Sequence, residues 1–437
     1  MEHNNKTRTL SDTIMQRVLN LFECSYDITT DSRKVKQGSI FVALKGNNVD
    51  GNHFAKQAIE NGAKLAIIDD EEFYLGDKTL LVEDSLLFLQ EFANYYRKTF
   101  SIPFIAISGT NGKTTTKELI NAVLSVKYKV CATQGNLNNH IGVPLTLLQL
   151  KRDTQIAVIE MGASHIGDID ELCNIAEPTY GLLTNVGTAH IEGFGSLNGV
   201  LQTKTELYRY LNKTNGKVFV NFDDENLRKQ DVENRISYSL YDKADTQAEI
   251  INPQDVFAQI RVDGVDIKSN LVGSYNAHNI LATLTVGRYF GIPLEEIKKA
   301  IEDYKPQNHR SEIEKTEKNT LILDCYNANP SSCKFAIEAF KNISSPNKRI
   351  YIGAMKELGQ VSEQEHKAIA DIIKQMNLTE AIFVGEEYKE YAKGDNIHWF
   401  LTSQEAKKFV KQENITSSCI LIKGSRATQM EILKDVL

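Results

Sequence analysis

The clearest signal in the chain is its alternation of short apolar runs with amphipathic stretches. From Pro103 to about Asp303 the runs FIAIS (104–108), KVCATQ (129–134), QIAVIEMG (155–162), YGLLTNVG (180–187) and GKVFVNFDD (216–224) read as buried strands separated by helical spacing. Strands that alternate with helices imply crossovers, a mostly parallel sheet and ligands at the carboxyl ends of the strands. An earlier segment repeats this on a smaller scale. SIFVAL (39–44) and KLAIID (64–69) read as strands, with HFAKQAIENGA between them as a helix ended by glycine. A helical stretch from Asp84 to Lys98 then leads to Ile102-Pro103. From about Arg310 the logic recurs in TLILDCYNANP, KRIYIGAM, EAIFVG and CILIKGSR. The expected architecture is α/β in three domains, at 1–98, 99–309 and 310–437.

Length and composition agree. A chain of 437 residues exceeds what one core supports, and 41% hydrophobic with 24% charged residues describes a globular protein. A net charge of −7 offers no basic field for nucleic acid. Six cysteines without a CxxC pair are expected to be reduced and mostly buried. No run of about 18 apolar residues occurs and MEHNNKTRTLSDTIMQRVL has no apolar core, so a cytoplasmic protein without membrane insertion is expected. A monomer is the expected state.

The candidate chemistry sits at the predicted strand ends. Gly109, Thr110, Asn111, Gly112, Lys113, Thr114 and Thr115 follow a strand and open a helix, the context of a phosphate loop. Backbone N–H groups and the helix N-terminus face an anion there, Lys113 adds a charge and the Thr114 hydroxyl suits Mg²⁺. The loop is shorter than G-x-x-x-x-G-K-[ST], because the position of its first glycine holds Ile107. Glu160 ends one strand and His190 lies in a glycine-rich loop after another, both suited to a metal at the phosphate edge. Considered alone, Glu160 reads as a solvated carboxylate, His190 as a loop histidine bonded to backbone, and Lys204 as an exposed helix lysine. Asn276 and Asn279 lie one helical turn apart and could read a base edge, although Asn276 also suits a helix cap. Asp324, Tyr326, Asn327 and Asn329 end one strand of the last segment, and Lys423 to Arg426 end another; Asn- and Gly-rich turns are the plainer reading of both.

Together these segments resemble the Mur ligase family of ATP-dependent amino-acid ligases, whose loop has the short G-T-[NK]-G-K-[ST] form. The resemblance runs through DSRKVKQGSIFVALKG, GTNGKTTTKE, TQGNLNNHIGVP, EMGASHIGDI, TNVGTAHIEGFGS, DCYNANPSS, GAMKELG and KGSR, essentially the whole chain. It implies a central P-loop-type domain flanked by an amino-terminal UDP-sugar domain and a Rossmann-like carboxyl-terminal domain. The Y-N-A-N-P and E-L-G segments favour a member that joins D-alanyl-D-alanine to UDP-N-acetylmuramoyl-tripeptide through an acyl phosphate. Another Mur-type ligase adding diaminopimelate or lysine, or a folylpolyglutamate-type ligase, is the alternative; no D-N-P-R segment is found. The resemblance further implies ATP phosphates on Lys113, two Mg²⁺ ions served by Thr114, Glu160 and His190, and Lys204 carbamylated by CO₂ as a metal ligand. Asn276 and Asn279 would hold adenine, Arg310 the γ-phosphate region and Asp324 the ribose. Ser32 and Arg33 would contact the uridine diphosphate, and Asn136, Asn138 and Asn139 the peptide arm. Tyr326, Asn327, Asn329, Ser425 and Arg426 would face the dipeptide. Two departures stand out: Tyr275 replaces a histidine in G-x-H-N, and Ala354 replaces the carboxylate of G-D-M-x-E-L-G.

Overall fold

The computed structural model describes residues 2–187, 191–306 and 310–437. Contacts divide the chain into two compact units. One comprises Met1–Ala106, Tyr128–Gly162 and Asp168–Tyr180; the other comprises Ile107–Lys127, Ala163–Gly167 and Gly181–Leu437.

Three α/β sheets follow one another in the expected order. The amino-terminal sheet runs Ile28–Thr29, Ile40–Val42, Leu65–Ile68, Thr79–Leu81, with every neighbour parallel. Asp84 accepts a hydrogen bond from the Leu87 amide and starts the helix Ser85–Arg97, matching the predicted stretch. The central sheet has seven strands in the order Thr246–Gln247, Arg235–Ser239, Lys217–Asn221, Tyr180–Leu183, Phe104–Ser108, Ile156–Glu160, Val130–Ala132. Every residue of Phe104–Ser108 and of Ile156–Glu160 is buried. That explains continuous apolar runs rather than alternating ones, since both faces of the sheet are covered.

The carboxyl-terminal sheet is ordered Glu312–Lys315, Thr320–Asp324, Cys419–Lys423, Lys348–Gly353, Glu380–Val384, Ile397–Phe400, with only the first strand antiparallel. Its strands divide their side chains between two cores. Ile350, Ile352, Phe383 and Leu421 enter one, whereas Tyr351, Ile382, Ile420 and Ile422 enter the other, as a period of two requires.

Two features lie outside the predicted pattern. A helix covers Glu2–Ser25, and a separate antiparallel sheet joins Glu249–Ile250, Phe257–Val262 and Val265–Val272. The turn of that hairpin is Asp263-Gly264, both left-handed at φ +50° and +79°. An Asp-Gly pair between strand-like runs is a hairpin signal, and the parallel reading of this region passed over it. All six cysteines are free thiols; four are buried, Cys131 is partly so and Cys24 is exposed.

Candidate active site

The phosphate loop is built as its context predicts. The strand Phe104–Ser108 runs into it, and the helix Lys113–Leu124 begins directly after Gly112. Gly109 and Gly112 adopt φ +132° and +80°. A Cβ at Gly109 would collide with Thr184 Oγ1, and one at Gly112 would lie 2.6 Å from Asn279 Oδ1, so each glycine is required by both its conformation and its neighbour. Lys113 Nζ curls back to the carbonyls of Gly109 and Thr110 at 2.8 and 2.9 Å, holding its charge over the loop. Ile107 stays in the strand, which is why its position needs no glycine.

The loop is laced to the segment 184–187. Thr110 N donates to Asn185 O at 2.9 Å, Asn111 N to Asn185 Oδ1 at 3.1 Å, and Thr184 Oγ1 to Asn111 O at 2.6 Å. Thr184 and Asn185 were not among the residues singled out, although the quoted TNVG segment contains them. Asn329 Nδ2 completes the bracing by donating to Asn111 Oδ1 at 2.8 Å.

Asn276 and Asn279 are also part of this bracing. Asn276 Nδ2 donates to Val272 O and Asn279 Nδ2 to Asn276 Oδ1, both at 2.8 Å, and Thr116 Oγ1 donates to Asn279 Oδ1 at 3.1 Å. A buried amide relay therefore runs from the phosphate-loop helix to the start of the helix Asn276–Tyr289. Asn276 is the first helical residue rather than a cap, for Tyr275 occupies the cap position and makes no side-chain capping bond. The Tyr275 hydroxyl lies 3.0 Å from Ser311 Oγ and its ring stacks on Phe335. Burial, followed by the nearby Asp324 carboxylate, pushes that phenol up to about 12.

Glu160 and Lys204 are not the solvated residues that each suggests alone. Glu160 is 1% exposed and its Oε1 accepts from Asn138 Nδ2 at 2.7 Å. Lys204, the last residue of the helix Leu197–Lys204, is 2% exposed, with Nζ 5.5 Å from the Phe194 ring centre. Thr114 is buried in the first turn of its helix. His190 lies outside the described residues.

In the carboxyl-terminal sheet Asp324 and Lys423 end adjacent parallel strands in direct register and form an ion pair of 2.8 Å. Burial alone would lower the Lys423 ammonium, but the attraction of Asp324 holds it above its ordinary value. Arg310 lies with its guanidinium 3.8 Å from the centre of the Tyr326 ring, and Arg426 is 5.9 Å from the same ring. Asn327 is exposed, while Ser425 is buried and donates to Ala354 O at 2.8 Å.

In the other unit, Arg33 forms a two-pronged contact with Asp31 at 2.8 and 2.9 Å, and those bonds lower the Asp31 carboxyl to about 2. Ser32 is buried. Asn136 and Asn139 are both exposed, and Asn139 Oδ1 accepts from the amides of Ile141 and Gly142.

Three family models match the chain in succession: Mur ligase family, catalytic domain, over residues 26–97; Mur ligase middle domain over 107–287; and Mur ligase, glutamate ligase domain, over 309–426. The UDP-N-acetylmuramoyl-tripeptide--D-alanyl-D-alanine ligase of Bacillus subtilis is 31% identical over 94% of this chain and 93% of its own. That of Escherichia coli is 32% identical over 92% of each. Among solved structures, MurF from Acinetobacter baumannii superposes with a TM-score of 0.82 at 31% identity, covering 94% of this chain and 92% of its own. MurF from Thermotoga maritima in complex with ADP gives 0.82 at 29%, covering 94% and 96%. With these likenesses spanning nearly the whole chain, the protein belongs to the Mur ligase family.

Proposed function

We propose that this protein is an ATP-dependent ligase that joins D-alanyl-D-alanine to UDP-N-acetylmuramoyl-tripeptide. The observation that carries the reading is the braced short phosphate loop, fastened through Asn111 and Asn329 to the Y-N-A-N-P segment of the carboxyl-terminal sheet. Near full-length similarity to ligases of that specificity supports it.

A carboxylate does not acylate an amine at neutral pH, because oxide is too poor a leaving group. The terminal carboxylate of the tripeptide attacks the γ-phosphorus of ATP, the bond to the ADP oxygen breaks, and an acyl phosphate forms. The amine of the dipeptide then attacks the acyl carbon, phosphate leaves, and the nitrogen gives up a proton. Both first-step reactants are anionic, so the loop amides and the Lys113 ammonium must offset charge on the group in transfer. Hydroxyl and carboxylate oxygens are hard donors that fit Mg²⁺, so Thr114 and Glu160 are the residues that would hold it, with His190 serving a second ion. Bound Mg²⁺ supplies screening of phosphate charge. An ammonium cannot ligate a cation, but a neutral Lys204 amine that adds CO₂ and releases a proton becomes a carbamate with two oxygen donors. The burial of Lys204 is compatible with this reading, because a metal-paired carbamate suits a buried position.

Residues 1–98 are assigned to the UDP sugar through Ser32 and Arg33, 99–309 to ATP, and 310–437 to the dipeptide. Asn276 and Asn279 are placed beside adenine, Arg310 beside the γ-phosphate and Asp324 beside the ribose. Asn136, Asn138 and Asn139 serve the peptide arm, and Tyr326, Asn327, Asn329, Ser425 and Arg426 the dipeptide. No helix among the described residues is long and apolar enough to cross a membrane. The decisive measurement is phosphate release from ATP, Mg²⁺ and the UDP-tripeptide, with and without D-alanyl-D-alanine. Stimulation by the dipeptide together with a pentapeptide product in the mass spectrum is expected; absence of both overturns the assignment.

A further inference from the structure

The peptide group joining Ala354 to Met355 is gripped at both polar atoms by buried side chains. Its carbonyl accepts from Ser425 Oγ at 2.8 Å, and its N–H donates to His366 Nε2 at 3.0 Å. Ser425 follows the strand Cys419–Lys423 and His366 lies in the second turn of the helix Ser362–Lys374, so one peptide plane is fixed from two separate elements. The His366 side chain is 0% exposed and packs edge-on to Tyr388. Because Nε2 faces an N–H, it must accept. Nδ1 therefore carries the hydrogen and donates to Ser362 O at 2.7 Å.

The gripped peptide begins the loop that leaves the strand Lys348–Gly353. This strand pairs in parallel with Cys419–Lys423, which pairs in parallel with Thr320–Asp324, so the loop emerges at the same sheet edge as Asp324 and Arg426. It passes through Glu357 and Gly359, both at positive φ, and Gly359 lies against Glu192, just beyond the histidine-containing loop.

We propose that His366 is a positioning residue for the second substrate: by holding the Ala354–Met355 peptide against Ser425, it keeps the 354–359 loop and the 425–426 turn in the arrangement that binds the dipeptide. This rests on the reading that the carboxyl-terminal domain takes D-alanyl-D-alanine. The grip requires a neutral ring, since a protonated His366 would set N–H against N–H at Met355. The groups around the ring are Glu365 on its own helix, itself paired with Lys334 of the neighbouring helix, Lys356 in the loop, and Glu387 and Tyr388 in the adjoining turn. Burial outweighs them and keeps the ring neutral below the usual histidine range.

Two variants test this. H366Q offers an amide oxygen in place of Nε2 and does not titrate, whereas H366L fills the space without an acceptor. At pH 8, H366L should raise KM for D-alanyl-D-alanine roughly tenfold, as expected for stranding a buried N–H, with KM for ATP unchanged. H366Q should stay within about threefold of the parent. On acidification the parent's dipeptide KM should rise more steeply than that of H366Q, in which only protonation of the dipeptide's own amine contributes. An H366L that raises all three substrate KM values alike, or an H366Q whose pH profile parallels the parent's, overturns the proposal. If H366L fails to fold, the H366Q profile decides alone. A parent that makes pentapeptide while these KM values stay indifferent sinks this inference only; a parent that makes none removes the function reading and this inference with it.

Discussion

Asn329 Nδ2 donates to Asn111 Oδ1 over 2.8 Å, so the residue that caps the helix Pro330–Lys341 also fastens the phosphate loop. Its two roles use different atoms, because Oδ1 accepts from the Ser332 amide while Nδ2 reaches the loop. N329D keeps the acceptor and loses the donor; N329A loses both. N329A should cost about 1 kcal/mol of stability, the usual loss for a missing cap, and N329D much less. Both should raise KM for ATP. Thermal unfolding and ATP titration separate the effects, and an unchanged ATP KM in N329D would show that the link does no more than cap.

Gly112 leaves no room for a side chain, since φ is +80° and a Cβ would meet Asn279 Oδ1 at 2.6 Å. G112A should destabilise by about 1–3 kcal/mol and abolish measurable nucleotide binding by calorimetry. Adding N279A removes the collision but not the backbone strain, so the double variant should recover part of the stability and the two changes should not add.

Lys423 is 1% exposed and paired with Asp324, whose side chain retains 17% exposure. K423M strands the carboxylate and should cost about 3 kcal/mol, the low end for breaking a buried pair, because Asp324 is still partly hydrated. The Lys423 pKa is raised in the fold, so its contribution is fully present below the unfolded lysine pKa and is lost only as pH climbs through the folded value. The deficit of K423M should therefore be constant from about pH 6 to 9 and shrink above about pH 10. Chemical denaturation across that range checks the sign; a deficit that vanishes near neutrality contradicts it.

Lys204 should carry a carbamate. In protein equilibrated with ¹³C-bicarbonate, a carbamate carbon resonance should appear and should be missing from K204A. K204A should lose ligase activity and regain part of it with short carboxylates. A resonance unchanged in K204A, or full activity without rescue, rules the modification out.

The local chemistry of the chain was legible because it is written in short-range patterns. Continuous apolar runs marked strands covered on both faces, Asp84 marked a helix start, and the short glycine loop marked a phosphate turn beginning at Gly109 rather than Ile107. The Asp263-Gly264 hairpin was equally legible by its turn residues. It went unread because the surrounding strands and helices suggested a single parallel sheet.

What the sequence determined by itself is the order of elements and the residue types at each strand end, since backbone propensity and side-chain period act over a few neighbours. Tertiary structure alone decided the partners. Asn111 and Asn329 meet across 218 positions, Asn279 seats beneath Gly112, and His366 closes on Met355 through the packing of a helix against a sheet edge. Lys204 shows the same limit: its helical spacing is local, but its burial depends on how distant segments stack. Desolvation and hydrogen-bond satisfaction belong to the assembled core, and no window of neighbouring residues contains them.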